Sequence, residues 1–361
     1  MWYNTKVTGL LGIDYPILQG PFGGNFSSVE LVAAVSNMGG LGGYGAYTLS
    51  PEEIFAVDSK IRAATNKPHN INLWVSDSDA RNGAITDSQY ERTVKIFKPY
   101  FDEVGIPLPE KPGPFKSKFE NQVQVILDIR PKLFSFVFGI PTAEILEQCR
   151  KVGILTAGTA TTLDEAIALE AAGVDMIIAS GFEAGGHRPS FLASAESSAT
   201  GMFVLLQLII EKVKIPVIAA GGIANGKGIA SVLALGADGA QIGTAFLATD
   251  ESNATAIHKK MLFSDAAKYT TLSRAFTGRP GRGIATRIAK DLVHKENDFL
   301  PFPLQAQFMS HLREASLEQE KWDMVLFWSG QIAPVLKHTK AAELMKSLLE
   351  ETTEYFDHIK R

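Results

Sequence analysis

The 361-residue chain holds a single cysteine, Cys149, which excludes an internal disulfide and any paired-cysteine metal site. Long apolar runs are missing too. The nearest, Met202 to Ile210, is short and interrupted by Gln207, well below the ~18–20 residues of a membrane span. The segment Met1 to Tyr15 is polar and glycine-punctuated, without the apolar stretch of a secretory signal, so the cytoplasm is the expected location. Charge of one sign is also scarce: 35 basic against 39 acidic side chains give a net charge of −4. Sequence-independent binding to nucleic acid requires a basic face that this balance does not provide. What remains is an ordinary globular composition, 45% hydrophobic, with ample material for a core. Cys149 lies in a helical pattern (Glu144 to Lys151) and is expected to be a small buried hydrophobe.

Short β-branched runs alternate with amphipathic helical patterns, the signature of βα units around a parallel sheet. Strands are expected at Tyr15–Gln19, Gly40–Tyr44, Asn70–Val75, Leu133–Phe138, Gly153–Ala157, Asp175–Ser180, Pro216–Ala220 and Asp238–Ile242. Ser50-Pro51 and Thr162 mark helix starts. Eight such units in about 250 residues predict an α/β fold of the (β/α)8 TIM-barrel type, with a doubly wound sheet as the alternative. The expected layout is a barrel over residues 1–263, interrupted after the third strand by an insertion at 77–131, and a helical extension over 264–361. The insertion would form a lid or side wall, and apolar residues of the extension would offer a homodimer contact. Asp175 and Asp238, each following a helix-ending glycine, enter their strands at the end opposite the chemistry and read as structural.

Function in such a barrel gathers at the carboxyl ends of the strands. These ends present no lysine for Schiff-base chemistry, few carboxylates and no HExxH pattern, so neither an aldolase nor a metal site is expected. They offer glycine, backbone amide and small polar groups, a surface for a large flat anionic ligand. Gly222, Gly243 and Thr244 would let phosphate oxygens approach the backbone at the seventh and eighth strands, although glycines at such ends also serve simply as tight turns. His187, flanked by Gly185 and Gly186, is the one histidine in a glycine-rich strand-end loop and the candidate acid–base group. His258, in a polar helical stretch, is expected to be solvated, and Glu183 and Arg188 read equally as a surface ion pair or as functional groups.

The motifs Gln19-Gly-Pro-Phe22, Asn72, Glu183-Ala-Gly-Gly-His-Arg188, Ala220-Gly-Gly-Ile223 with Gly226-Lys-Gly228, Gln241-Ile-Gly-Thr244 and Trp328-Ser-Gly-Gln331 occur in this order. Together they resemble the nitronate monooxygenase (2-nitropropane dioxygenase) family, most closely its class I enzymes, over nearly the whole chain. The resemblance implies a barrel holding non-covalent FMN that oxidises alkyl nitronates, of the propionate 3-nitronate type, with molecular oxygen. It implies that His187 is the catalytic residue at the flavin. It further implies FMN contacts from Asn72, Ser180, Gly185, Gly186, Gly221, Gly222, Gln241, Ile242, Gly243 and Thr244, with Gly20, Pro21 and Phe22 along the ring. Two positions depart from the family pattern: Ser180 stands where glutamine is frequent, and Pro189 where a glycine usually follows Arg188. The rival assignments are an FMN- and NAD(P)H-dependent enoyl-acyl-carrier-protein reductase, which would share the barrel and the Gly-Gly-His loop, and a flavin-free lyase or isomerase of a phosphorylated small molecule.

Overall fold

The structure, a computed structural model, describes residues 1–75 and 85–359. Helix α1 (Lys6–Leu11) precedes β1 (Ile17–Gln19), α2 (Val29–Asn37), β2 (Gly42–Gly45), α3 (Pro51–Ala64) and β3 (His69–Trp74). The described part of the insertion holds α4 (Asp87–Val104) and α5 (Phe119–Ile129). Then follow β4 (Leu133–Val137), α6 (Ala143–Lys151), β5 (Leu155–Ala160), α7 (Leu163–Ala172) and β6 (Met176–Ser180). A two-residue strand β7 (Gly186–His187) interrupts the alternation before α8 (Met202–Ile210), β8 (Val217–Ala220), α9 (Gly226–Ala234) and β9 (Gly239–Ile242).

Eight of these strands form one parallel sheet in the order β1-β9-β8-β6-β5-β4-β3-β2. Parallel bridges Leu18–Leu41 and Phe22–Tyr44 join the two edge strands and close it into a (β/α)8 barrel. The amino end of the barrel is packed with Leu18, Leu41, Leu133, Met176, Ile178 and Ile218, and Val7 and Leu11 of α1 seal it. Local chemistry sets the helix starts. Ser50 and Glu53 make a reciprocal capping box at α3 with Pro51 in the first turn, and Thr162 caps α7 through the Glu165 amide. Asp175 takes the amide and hydroxyl of Thr156 at 2.8 Å each, and Asp238 the Val217 amide at 3.2 Å, so both aspartates tie strand starts together. The fifth strand begins later than its sequence suggests. Gly153 adopts a left-handed turn (φ +79°) that closes α6, and the strand starts only at Leu155.

After β9 come a four-residue helix α10 (Thr244–Leu247) and α11 (Ala256–Leu262). The extension beyond residue 263 is not purely helical. Strands β10 (Thr270–Ser273) and β11 (Gly281–Ile284) precede α12 (Arg287–Asp291), α13 (Leu304–Glu318) and α14 (Ala341–Ile359). β10, β11 and β7 make an antiparallel sheet in which Gly281 faces His187 and Arg282 faces Gly186. A separate core joins the insertion to the extension: Phe97 and Phe101 of α4 pack on Phe308 of α13 with ring centroids 5.8 and 5.3 Å apart. Among the described residues, none from 85 to 131 lines the cavity at the carboxyl ends of the barrel strands, so α4 backs α13 rather than covering the barrel mouth. Gln122 of α5 instead holds the loop after β2, donating to the carbonyls of Tyr47 and Leu49 at 2.9 and 2.8 Å.

Glu165 is fully buried and binds two loops at once. One carboxylate oxygen takes the Thr161 amide and hydroxyl at 2.7 and 2.6 Å; the other takes the amides of Phe191 and Leu192 at 2.6 and 3.0 Å. Glu165→Ala strands these donors and is expected to lower the unfolding free energy by roughly 1–3 kcal/mol, read from urea melts.

Candidate active site

A cavity of about 480 Å³ opens at the carboxyl ends of the barrel strands. Its lining includes Gly20, Pro21 and Phe22 after β1, Asn72 on β3, and Ser180 at the end of β6. Gly185, Gly186 and His187 enter from β7 and its approach, Gly221 and Gly222 from the β8 end, and Gln241, Gly243 and Thr244 from the β9 end. Ile242 is the exception among the expected contacts. It is fully buried in the core around the barrel, because side chains on a strand alternate and its neighbours Gln241 and Gly243 take the cavity side. Its backbone still serves the site, since its carbonyl accepts the Gly20 amide at 2.8 Å.

The floor is polar and firmly held. Asn72 and Asn70 both donate to the Ser135 hydroxyl at 2.9 Å, which fixes the Asn72 side chain below the cavity. Buried Gln19 accepts the Gly43 amide at 2.8 Å. Gln241 is different: its side-chain oxygen is buried and accepts no hydrogen bond. Among the described residues, the amides of Gly222, Gly243 and Thr244 likewise donate to no protein acceptor. Gly221 and Gly222 sit at φ +110° and +72°, values L side chains rarely adopt, so the turn that exposes these amides calls for glycine. An unpaired acceptor on one wall and free amides on another suit a ligand carrying both a hydrogen-bonding edge and an anionic group.

The loop after β6 is held by charges that are engaged with protein partners. Arg188 is buried and donates to the carbonyls of Ser180 (2.7 Å), Gly181 (2.9 Å) and Thr161 (3.3 Å), as well as to Ser198. Burial pulls its pKa down to about 10, which leaves it charged at neutral pH. Glu183 receives the Met202 amide on both carboxylate oxygens, at 3.0 and 2.9 Å, and so caps α8 from outside, where Gly201 has no side chain to do so. Neither forms a surface ion pair, one of the two readings their sequence leaves open. Pro189 follows without disturbing the pairing: the Arg188 amide still donates to the Pro280 carbonyl at 2.8 Å.

His187 stands half-buried among rings, with centroids of Trp328 at 4.8 Å, Trp74 at 5.3 Å and Phe302 at 5.5 Å. Its Nε2 lies 2.8 Å from the Thr277 hydroxyl, which is itself 3.1 Å from the Arg279 carbonyl. Burial first, and the charge of Arg279 second, push the His187 pKa down to about 3, so the imidazole is neutral at physiological pH. Thr277 and Arg279 carry no motif that sequence reading could find; they reach His187 only through the pairing of β11 with β7. Gly185 meets the extension as closely. A Cβ there would lie 2.5 Å from the Gly330 nitrogen, so its glycine is required by the neighbouring backbone rather than by a ring beneath it. Gly330 in turn donates its amide to the Thr244 hydroxyl at 2.9 Å. Trp328, Ser329 and Gly330 of the Trp328-Ser-Gly-Gln331 stretch thereby form a wall of the cavity.

His258, expected in solvent, is buried and bonded through Nε2 to the Trp328 carbonyl at 2.9 Å, with Phe26 and Phe327 edge-on at 5.3 and 5.5 Å. Its helix has a polar sequence, but this face turns onto the extension. No described helix is long and apolar enough to cross a membrane, and no group of three or more described His, Cys, Asp or Glu side chains is placed to hold a metal.

The closed barrel with its cleft at the strand ends places the chain among (β/α)8-barrel enzymes. Comparison narrows the class. The family model described as nitronate monooxygenase matches residues 4–351, and the chain belongs to that family of oxidoreductases. A probable nitronate monooxygenase of Staphylococcus haemolyticus is 35% identical over 353 residues, covering 97% of this chain and 98% of the relative. The crystal structure of a nitroalkane oxidase from Streptomyces ansochromogenes superposes with a TM-score of 0.88 at 34% identity, covering 98% and 99% of the two chains. FabK from Thermotoga maritima follows at a TM-score of 0.74 and 26% identity, covering 99% and 98%.

The depressed histidine pKa values carry a stability consequence. The folded-state pKa of His258, about 4, lies below the ordinary 6.5, so the unfolded chain takes up the proton first. Stability is unaffected by this group above about pH 6.5. It falls as pH drops from there toward 4, by about 1.4 kcal/mol per unit. His258→Gln, which keeps an N–H for the Trp328 carbonyl, is expected to flatten the decline of Tm between pH 6.5 and 4.

Proposed function

We propose that the chain is an FMN-dependent enzyme that oxidises alkyl nitronates with molecular oxygen, and that His187 is its catalytic residue. One observation carries the reading: a neutral imidazole faces a cavity that also holds a buried acceptor without a donor, Gln241 Oε1, and the unbonded amides of Gly222, Gly243 and Thr244. These residues fit FMN. The amides at the β8 and β9 ends would take its phosphate, Gln241 and Asn72 would meet the polar edge of its ring system, and Gly20, Pro21 and Phe22 would lie along the ring. When bound, FMN supplies the capacity to accept electrons from a nitronate and pass them to oxygen.

The protein's own part is to bind and orient the substrate and to manage its proton. His187, held by Thr277 and screened from water by Trp74, Phe302 and Trp328, offers a hydrogen bond to the nitronate group. A bound anion beside the ring favours its charged form and opposes the depression imposed by burial. For a neutral nitroalkane the same ring would have to remove the α-proton. A group with so low a pKa does this poorly, so nitronates are the better substrates.

His187→Asn is expected to retain FMN but to slow nitronate turnover by about 10²–10⁴-fold, measured as oxygen uptake. Anaerobic mixing of the holoenzyme separately with propionate 3-nitronate and with NADH decides the class. Bleaching of the flavin absorbance by nitronate alone is the expected result. Rapid bleaching by NADH would instead favour the enoyl reductase assignment, and a purified protein that cannot be reconstituted with FMN would sink both.

A further inference from the structure

The surroundings of His187 determine which of its two ring nitrogens carries the proton. Nε2 lies 2.8 Å from the Thr277 hydroxyl, a contact a neutral ring can make either as donor or as acceptor. The other neighbours of that hydroxyl remove the choice. The Arg279 carbonyl, 3.1 Å away, can only accept, and the Arg279 amide, 3.4 Å away, can only donate. A hydroxyl has one proton and two lone pairs. With the proton on the Arg279 carbonyl and one lone pair toward the Arg279 amide, the second lone pair is left for an Nε2–H. Were the proton turned to Nε2 instead, two oxygens would face each other at 3.1 Å with no proton between them.

The opposite edge of the ring meets different surroundings. Gly281 stands across from His187 in the β7–β11 pairing, and a Cβ placed on it would lie 3.4 Å from His187 Cδ2. The Nε2–Cδ2 edge is therefore turned to β11 and to the turn before it. The Nδ1–Cε1 edge points the other way, into the cavity that the ring lines. Nδ1 makes no hydrogen bond with the described residues and, unlike Gln241 Oε1, it is not sealed within the protein. Trp74, Phe302 and Trp328 flank the ring and resist the half-turn that would exchange its two edges.

We propose that Thr277 is a positioning residue: it keeps the neutral His187 ring in the Nε2–H tautomer, so that Nδ1, with its lone pair free, is the atom presented to the substrate. Toward a neutral nitroalkane, Nδ1 is then the atom that takes the α-proton, the electrons of the C–H bond staying with the substrate as its nitronate. Toward a nitronate already formed, Nδ1 donates a hydrogen bond only after taking up a proton from solvent, which the bound anion favours. The substrate half of this inference rests on the nitronate reading given above. The tautomer is a property of the ring itself and is measured without turnover.

The test observes the ring nitrogens by ¹⁵N NMR in the FMN-loaded enzyme labelled at histidine, the His187 signals being those lost in His187→Asn. A protonated Nε2 and a bare Nδ1 are expected in the unaltered enzyme and in Thr277→Ser, which keeps the hydroxyl. The isosteric Thr277→Val lacks it and is expected to show both tautomers. Thr277→Val should also lower kcat for propionate 3-nitronate by roughly 3- to 10-fold, the equivalent of one hydrogen bond, with FMN retained and with Thr277→Ser recovering most of the rate. A proton on Nδ1 in the unaltered enzyme overturns the proposal. So does a Thr277→Val enzyme whose ring keeps the Nε2–H tautomer alone, whatever its rate. Should the tautomers behave as expected while no form of the enzyme turns over nitronate, the assignment of the proton stands and the nitronate reading falls.

Discussion

The site depends on a backbone pairing between two distant parts of the chain. Gly186 and His187 form a strand only because Arg282 and Gly281 of β11 lie beside them. Strand β6 ends at Ser180, and in the loop that follows Gly186 and His187 find their strand partners only in β11. Residues 270–284 and 328–331 set the height and tilt of the imidazole, supply Thr277 against its Nε2, and press Gly330 so closely against Gly185 that no side chain fits at Gly185. This edge of the cavity is therefore a joint construction of barrel and extension.

The two charges of the loop after β6 are spent on structure. Arg188 neutralises a ring of carbonyl dipoles at the end of β6, while Glu183 is consumed by the first turn of α8. Both histidines near Trp328 are neutral. In a poorly solvated space, fixed amides and one hydrogen-bonding ring orient an anion without the desolvation cost of a buried counter-charge. The aromatic wall then controls how much water reaches the reacting group.

Sequence reading recovered what local rules govern. The capped helices α3 and α7 start where Ser50-Pro51 and Thr162 put them, and the glycine-rich strand ends converge on one cavity. Ile242 could have been excluded by the same logic, since period-2 alternation turns it away from a cavity that holds Gln241. Other features have no local signal. Gly281 to Ile284 shows no alternation; it becomes a strand by pairing with β10 and, at Gly281 and Arg282, with β7 far earlier in the chain. His258 reads as solvated beside Lys259 and Lys260, and only the packing of Phe26 and Phe327 around it buries it. Thr277 has no motif at all; its role exists only in three dimensions.

The second core has a bearing on how the chain reaches its native state. Phe97 and Phe101 on α4 have their partners near residue 308, and the Thr93 hydroxyl finds its acceptor at Asp298, 205 positions along the chain. During synthesis on the ribosome the barrel strands up to β9 emerge before any of those partners exist. The aromatic face of α4 must meanwhile stay in water or in the keeping of a chaperone. Pairings of such sequence separation close late and slowly. A nascent barrel of this kind is thus aggregation-prone until its last quarter arrives, and C-terminal truncation would expose that aromatic surface permanently.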